Sequence, residues 1–479
     1  MTYREAYETW LKEFADDRAT VDELKAIAGD EKEIEDRFYT ELSFGTAGMR
    51  GVLGAGTNRM NLYNVRRATK GFADYINSQN PEYRQRGVVI AYDSRRMSPE
   101  FAKASALVLC HEGIHVYLFD ELRPVPILSY AVRHLHAIAG IVITASHNPP
   151  QYNGYKVYWS DGAQLPPQHA AAIARELEHI DIFTGVRRMA YDDAAAQGLI
   201  QVMGRETDDR FMAHVMAMVN DRQSMAQVAD TFKMVYTPFH GCGWQLVPEA
   251  LRGLGVKHLY CVKEQMVLDG NFPTVASPNP ENPEGFYLAI DLANQVGADF
   301  ILGTDPDSDR VGIMVRSHDG SFVPVTGNQT GALLVQFVLT MKKAQLNEKS
   351  TLVKTIVTSD LGANIGRSFG LQIEETLTGF KYIGDKINTY EQTGDKEFVI
   401  GYEESYGYLV GTHARDKDAV VSAMLICQMA AWYKNQGKTL VDALHAVYEK
   451  YGYYLDALDS FVLKGKDGAE KIGALMQTF

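Results

Sequence analysis

The sequence predicts an α/β protein of three successive α/β units, with mostly parallel or mixed sheets, set around a shared central cleft. Short β-branched runs alternate with helical stretches along the chain: GVVIAYDSR, IHVYLFD, AGIVITASHN, FKMVYTPFHG, KHLYCV, ADFILGTDPDSDR and RVGIMV, then STLVKTIVTSD and EFVIGYEESYGY. Strands separated by helices give α/β units. The 479 residues exceed what one core supports, and typical domain size gives about three domains. There is also an internal echo, because IVITASHN, FILGTDPDSD and FVIGYEES each empty an apolar strand into a polar loop. Three units that each lend one loop to a common cleft explain it. Polar or glycine-containing breaks near Arg205–Asp209, Asp319–Val323 and Lys450 divide the chain into residues 1–205, 206–320, 321–449 and 450–479.

Composition narrows the function classes. A hydrophobic content of 46% with 22% charged residues describes an ordinary globular protein. The net charge of −13 argues against nucleic acid and anionic membranes. An anionic substrate is still accessible if the few cations gather in one cleft. Cys110, Cys242, Cys261 and Cys427 lie far apart with no C-x-x-C spacing, which reads as reduced core thiols in a cytoplasmic protein. The opening MTYREAYETWLKEFADD, with Trp10, Leu11 and Phe14 on one face, is an amphipathic helix and no signal peptide. The apolar segment from Ala419 to Tyr433 is interrupted by Ser422 and Gln428 and is too short for a membrane span. It reads as a buried helix, started near Asp418 and stopped near Gly437.

Taken in order, the loops carry the chemistry. Ser43 to Gly51, SFGTAGMRG, offers glycine-rich backbone and Arg50 to an anion, although a plain turn fits it equally. It lacks the nucleotide P-loop pattern, and no G-x-G-x-x-G follows a strand, which disfavours ATP and NAD. After the strand at Ala139 to Thr144 come Ser146-His147-Asn148 and then Pro149-Pro150, which forbid continuation of strand or helix. A hydroxyl is thus presented at the carboxyl end of a buried strand, where ligands bind in open α/β sheets. Read alone, this is also a polar turn. His147 is a poor base for Ser146, because neighbouring side chains in extended chain point apart. Lys156 follows in a second β-rich run that can fold back over the serine.

Asp305-Pro306-Asp307-Ser308-Asp309-Arg310 is the most specific feature. In extended chain its three carboxylates share a face, and three hard oxygen ligands without His or Cys suit Mg²⁺. A solvated acidic turn is the bland reading, but three like charges this close need a cation. A calcium-hand loop fails, since arginines stand where its glycine and glutamate belong. LTGFKYIG supplies Gly379 and Lys381, and GYEESYGY supplies Glu403 and Ser405, equipment for sugar hydroxyls or simply a solvated hairpin. Arg415-Asp416-Lys417-Asp418 adds charge at a helix start.

Together these loops resemble the α-D-phosphohexomutase superfamily, most closely its phosphoglucomutase branch. TASHNP is similar to its phosphoserine loop, DPDSDR to its metal loop, and the E-E-S of GYEESYG to its sugar-binding loop. SFGTAGMRG matches its N-terminal active-site loop and LTGFKYIG its specificity loop, in order from about residue 40 to 460. The resemblance implies that Ser146 is phosphorylated at rest and, with Asp305, Asp307 and Asp309, binds one Mg²⁺. It implies that Arg50 and Arg310 steady the phosphoryl group, with Lys156 as general acid/base and His147 as a further catalytic residue. Gly379, Lys381, Glu403, Ser405, Arg310, Arg415 and Lys417 would hold the sugar phosphate. Glucose 1-phosphate and glucose 6-phosphate would be interconverted through glucose 1,6-bisphosphate, which also serves as activator, by a monomer or weak homodimer. A buried Lys156 is expected to have a lowered pKa, fit to take the attacking hydroxyl's proton.

One departure stands out. The family's phosphate-binding R-x-S-G-T-E string is absent, and the chain reaches Phe479 within an apparent helix, GAEKIGALMQTF, that follows a strand-like YYLDALDSFVL. Residues 450–479 are therefore expected to be the start of a fourth, α+β, domain most of which is missing, with reduced activity. Phosphomannomutase and phosphopentomutase are rival activities. An inactive sugar-phosphate-binding fragment and a metal-binding structural protein are the rivals of a different class.

Overall fold

The computed structural model describes residues 1–45, 48–463 and 465–478. The helices Tyr3–Glu13, Arg18–Ala26 and Glu31–Phe38 come first, the initial one started by a Thr2/Glu5 capping box. Their apolar faces (Tyr7, Trp10, Phe14, Leu24, Phe38) close on Tyr63, Ile182 and Phe183 as a small separate core.

Three sheets follow. The first holds β1 (Met49–Val52), β2 (Val88–Tyr92), β3 (Val116–Phe119), β4 (Ala139–Ile143), β5 (Tyr152–Trp159) and β6 (Ile200–Met203), in the order β1-β5-β4-β2-β3-β6. The strands β4, β2, β3 and β6 are parallel, while β5 returns antiparallel on β4 and β1 antiparallel on β5. The second sheet contains β7 (Lys233–Thr237), β8 (His258–Cys261), β9 (Phe300–Thr304), β10 (Val311–Arg316) and β11 (Phe322–Val325), ordered β11-β10-β9-β7-β8. The third comprises β12 (Ser350–Thr355), β13 (Gln372–Thr376), β14 (Glu397–Glu403) and β15 (Gly407–Val410), ordered β13-β12-β14-β15. Each has a parallel core and an antiparallel return: β5 on β4, β10 on β9, β15 on β14. The fold class is the expected one.

β11 pairs with β10 across the polar break near residue 320, so the second sheet extends to Val325. One expectation needs correction. Residues 452–463, expected to hold a strand, form neither strand nor helix, and Leu455, Leu458 and Phe461 are exposed. Apolar residues make a strand only beside a partner that satisfies their backbone. The helix that follows, Gly465–Thr478, does form.

The helix Ala419–Lys434 is buried on nearly every face and started by the Asp418 carboxylate, which accepts from the N–H groups of Val420 and Val421. It lies within the largest core, which runs from one face of the first sheet (Val89, Phe119) through the second (Tyr236, Leu302) to the third (Leu352, Tyr402). A helix apolar all round belongs in such a place. Among the described residues, no helix is long and apolar enough to cross a membrane.

Candidate active site

The three echoing segments occupy equivalent places. Each joins a parallel strand to its antiparallel return, and each contains a non-glycine residue in the left-handed region: Ser146 (φ 53), Ser308 (φ 52) and Tyr406 (φ 66). Such backbone is uncommon outside glycine and concentrates at functional turns.

The first two loops meet. Ser146 Oγ donates to Asp305 Oδ2 at 2.9 Å, and Thr144 Oγ1 donates to Asp307 Oδ2 at 3.1 Å. The Ser146 N–H bonds Thr144 Oγ1 at 2.8 Å, tying the Ser146 loop to its own strand. Carboxylate oxygens of Asp305, Asp307 and Asp309 all lie within 4.8 Å of one another, and all three residues are buried. They converge for a different reason from the one expected. The loop is a turn and not extended chain: the N–H groups of Asp309 and Arg310 donate to Asp305 Oδ1 at 3.1 and 3.0 Å. His147 also departs from expectation. The left-handed backbone of Ser146 brings His147 Nδ1 to 3.3 Å from Ser146 Oγ. Burial, then the charges of Arg310 and Arg50, push that imidazole down to about 2 and keep it neutral.

Two lysines neutralise the acids. Lys156 Nζ lies 2.8 Å from Asp307 Oδ2 and 3.5 Å from Asp309 Oδ2, and Lys417 Nζ lies 3.2 Å from the same oxygen of Asp309. Gly407 leaves room for the Lys417 stem, since a Cβ there would sit 2.1 Å from Lys417 Cδ. Burial and the repulsion of Asp307 and Asp309 drive the Asp305 carboxyl well above the ordinary range. Burial works the same way on Asp309, but Lys417, Lys156 and Arg310 prevail and hold it below that range. The expectation for Lys156 is overturned. Burial does disfavour its ammonium, yet Asp307 and Asp309 outweigh burial and raise its pKa. It stays charged at neutral pH.

The donor set fits a hard divalent cation. Asp307 Oδ1 and Asp309 Oδ1 are buried with no hydrogen-bond partner, a costly arrangement unless a cation meets them. Among the described residues, this trio is the one His/Cys/Asp/Glu group able to share an ion, and it is all oxygen.

The remaining expected residues fall around this centre. Arg50, on β1, donates to Asn148 Oδ1 at 2.9 Å. Within SFGTAGMRG, Thr46 and Ala47 lie outside the described residues. Arg310 NH1 donates to Glu281 Oε1 at 2.7 Å, while its buried Nε makes no hydrogen bond and lies 3.9 Å from Asp309 Oδ1. Glu403 ends β14 and accepts the Gly379 N–H at 2.9 Å, while Ser405 sits half-exposed in the following turn. Lys381 lies in the first turn of the helix Phe380–Thr393, with its ammonium 5.0 Å from the Tyr382 ring centroid. Arg415 goes elsewhere. Its guanidinium pairs with Glu391 at 2.5 Å and its N–H with Ser129 Oγ at 2.8 Å, so it joins the first and third units, with no exposed surface left for substrate.

Sequence reasoning missed Arg95. It lies in YDSR, directly after β2, the same strand-end position that flagged the other loops. Its guanidinium donates to the carbonyls of Ser146, Asn148, Pro149 and Tyr152, pairs with Asp93, and lies 5.0 Å over the Phe272 ring. The Ser146 loop is thus clamped by a fully buried arginine. Glu281, from SPNPENPEG, was read only as loop but fixes Arg310.

A hydroxyl set on buried carboxylates and flanked by lysines and arginines, at the junction of three α/β units, defines an enzyme acting on phosphoryl groups. Residues 41–182, 209–320 and 326–451 match, in turn, alpha/beta/alpha domains I, II and III of phosphoglucomutase/phosphomannomutase. The phosphoglucomutase of Staphylococcus haemolyticus (strain JCSC1435) is 38% identical over 448 residues, covering 92% of this chain and 78% of its own. That of Staphylococcus aureus (strain MRSA252) is 37% identical over 482 residues, covering 98% and 82%. Among solved structures, the open form of the Paramecium phosphoprotein pp63/parafusin superposes with TM-score 0.64 at 18% identity, covering 87% of this chain and 75% of that one. A phosphoglucomutase/phosphomannomutase family protein from Burkholderia thailandensis gives 0.63 at 20%, covering 84% and 79%. At those identities the two structures show the shared fold. The chain belongs to the phosphoglucomutase/phosphomannomutase family, within the α-D-phosphohexomutases, which are mutases of the isomerase class.

Proposed function

We propose that this chain interconverts glucose 1-phosphate and glucose 6-phosphate through a phosphoserine at Ser146. The observation that carries the reading is the hydrogen bond of 2.9 Å from Ser146 Oγ to Asp305, which sets the hydroxyl at the edge of the acidic trio. The name shared by its relatives of 37–38% identity supports glucose as the sugar. In the forward step the bond from phosphorus to the Ser146 oxygen breaks as one forms to O6 of glucose 1-phosphate. Lys156 gives a proton to the departing serine oxygen and takes up the one the sugar hydroxyl loses, ending as the ammonium it began. The 1,6-bisphosphate then turns over in the cleft and returns its C1 phosphoryl group to Ser146, and the same compound serves as activator.

Phosphoryl transfer asks the protein for position and charge. Asp305, Asp307, Asp309 and the Ser146 oxygens would hold Mg²⁺, which supplies charge neutralisation at the phosphoryl oxygens when bound. Arg50, held by Asn148, and Arg310, held by Glu281, would grip the phosphoryl group. Lys156 and Lys417, kept as ammonium ions, stabilise the charge that develops there; Lys156 acts as proton donor to a departing oxygen. Glu403 and Ser405 bond sugar hydroxyls beside Gly379 and Lys381. The remaining expectations, a cytoplasmic monomer or weak homodimer, stay part of this proposal.

A coupled assay with glucose, mannose and ribose 1-phosphates tests it. Turnover of glucose 1-phosphate with Mg²⁺ and a trace of glucose 1,6-bisphosphate is expected to exceed that of the other two. A preference for mannose or ribose moves the specificity, and binding without any turnover removes the reaction.

A further inference from the structure

The strand β5 delivers more than Lys156. Tyr158 stands two residues on, so its side chain leaves the same face of the strand, and it too is buried. Tyr158 Oη donates to Asp416 Oδ2 at 2.7 Å, and Gln164 Nε2 donates to the same oxygen at 2.8 Å. The other oxygen of Asp416 takes the Lys417 N–H at 2.8 Å and the Lys417 ammonium at 3.0 Å. Lys417 then meets Asp309 Oδ2, the oxygen that Lys156 approaches from the opposite unit. The contacts form a closed ring from β5 through Tyr158, Asp416, Lys417 and Asp309 to Lys156 and back to β5.

We propose that Asp416, locked by Tyr158 and Gln164 across the junction of the first and third units, is a positioning residue that sets where the Lys417 ammonium stands relative to Lys156. The inference rests on the phosphohexomutase reading and deepens it. Asp416 is too deeply buried to meet a substrate, its carboxylate being 1% exposed. It acts through Lys417. Two ammonium groups on one carboxylate oxygen repel, and a long lysine stem has many rotamers. The ring removes that freedom, and because the tyrosine comes from the lysine-bearing strand, any shift of the first unit is passed to Lys417. Hydrogen bonds to a buried carboxylate are among the stronger ones, so loss of one hydroxyl is sufficient to loosen the arrangement.

The test uses the whole chain with Tyr158→Phe, alone and combined with Lys417→Arg. Loss of a hydrogen bond to a charged group predicts about a tenfold fall in kcat with KM nearly unchanged and a fall of only about a few degrees in melting temperature. In the Lys417→Arg background the same substitution is expected to cost less than about twofold, because coupled residues are not additive. A second measurement needs no activity: acetylation of the metal-free chain, read by peptide mass, is expected to label Lys417 several-fold faster in Tyr158→Phe, with exposed Lys349 as internal standard. Equal losses in both backgrounds, or an undiminished kcat, overturn the proposal, as does unaltered Lys417 labelling. If the unsubstituted chain turns over no hexose phosphate, the reaction assignment fails by itself, and labelling still decides whether the ring holds Lys417.

Discussion

The loops after β4 and β14 make the same reversal from a parallel strand to an antiparallel return, with a left-handed residue in each, yet they are finished differently. Ser146 is 4% exposed, clamped by Arg95 and met by Asp305. In the other loop Glu404, Ser405 and Tyr406 stay half-exposed, and only Glu403 is drawn into the interior. The difference fits the roles proposed for them. Charge stabilisation gains from a water-poor site with fixed partners. Sugar hydroxyls, by contrast, would have to enter and leave and exchange hydrogen bonds with water. The DPDSDR loop joins the two, since the Val125 N–H bonds Asp307 O, the Ala419 N–H bonds Ser308 O, and the Val311 N–H bonds Tyr406 O. The second unit thus lends its backbone to both neighbours.

Substitutions can break or sharpen this contrast. Ser146→Ala removes the oxygen proposed to carry the phosphoryl group and is expected to lower kcat by at least about a thousandfold, with little change in melting temperature. Arg95→Met removes the guanidinium from beside Asp93 and four carbonyls inside the first unit, although Asp93 keeps the Ser98 hydroxyl and Pro149 the Tyr152 N–H; breaking a buried pair in this way costs about 3–5 kcal/mol in denaturant unfolding. Activity should fall with it even though Arg95 meets no substrate, and a stable, active variant would show that the clamp is dispensable. On the open side, Glu403→Gln is expected to raise KM about tenfold with kcat within about twofold, as for a hydroxyl contact made equally in ground and transition states. A large fall in kcat instead would place Glu403 with the chemistry.

The smallest effect lies outside both loops. Asp442 completes the capping box of the helix Leu440–Tyr451. The Thr439 N–H, then the His318 and Thr439 side chains, hold its carboxyl at about 2. A depressed carboxyl stabilises the fold above the ordinary aspartate value, and this is lost as pH falls through about 2. Asp442→Ala is expected to cost about 1 kcal/mol in urea unfolding at neutral pH, a typical cap, and nothing in kcat. A change in kcat would mean that the third unit's outer helices are coupled to the cleft.

Strand ends were readable in the sequence because chemistry-bearing residues interrupt apolar runs there, as in TASHN, DPDSD and GYEES. What could not be read was which side chains meet across units. Tyr158 and Asp416 are 258 positions apart, and no spacing rule links them. The acidic trio was found through a periodicity it does not use, since it is a turn closed by N–H groups on Asp305. The pKa of Lys156 was misjudged because burial alone was weighed, whereas two carboxylates were waiting at the end of its side chain. Residues 452–463 look strand-like in their apolar content, and local content cannot supply the backbone partner that a strand needs.

The most direct test is the mass of the intact chain. With Ser146 as phosphoryl carrier beside Asp305, incubation with glucose 1,6-bisphosphate and Mg²⁺ should add about 80 Da at Ser146. That mass should disappear when glucose 1-phosphate is supplied, and never form in Ser146→Ala. Phosphate appearing at another residue, or mass on Ser146 that glucose 1-phosphate leaves in place, would contradict the account.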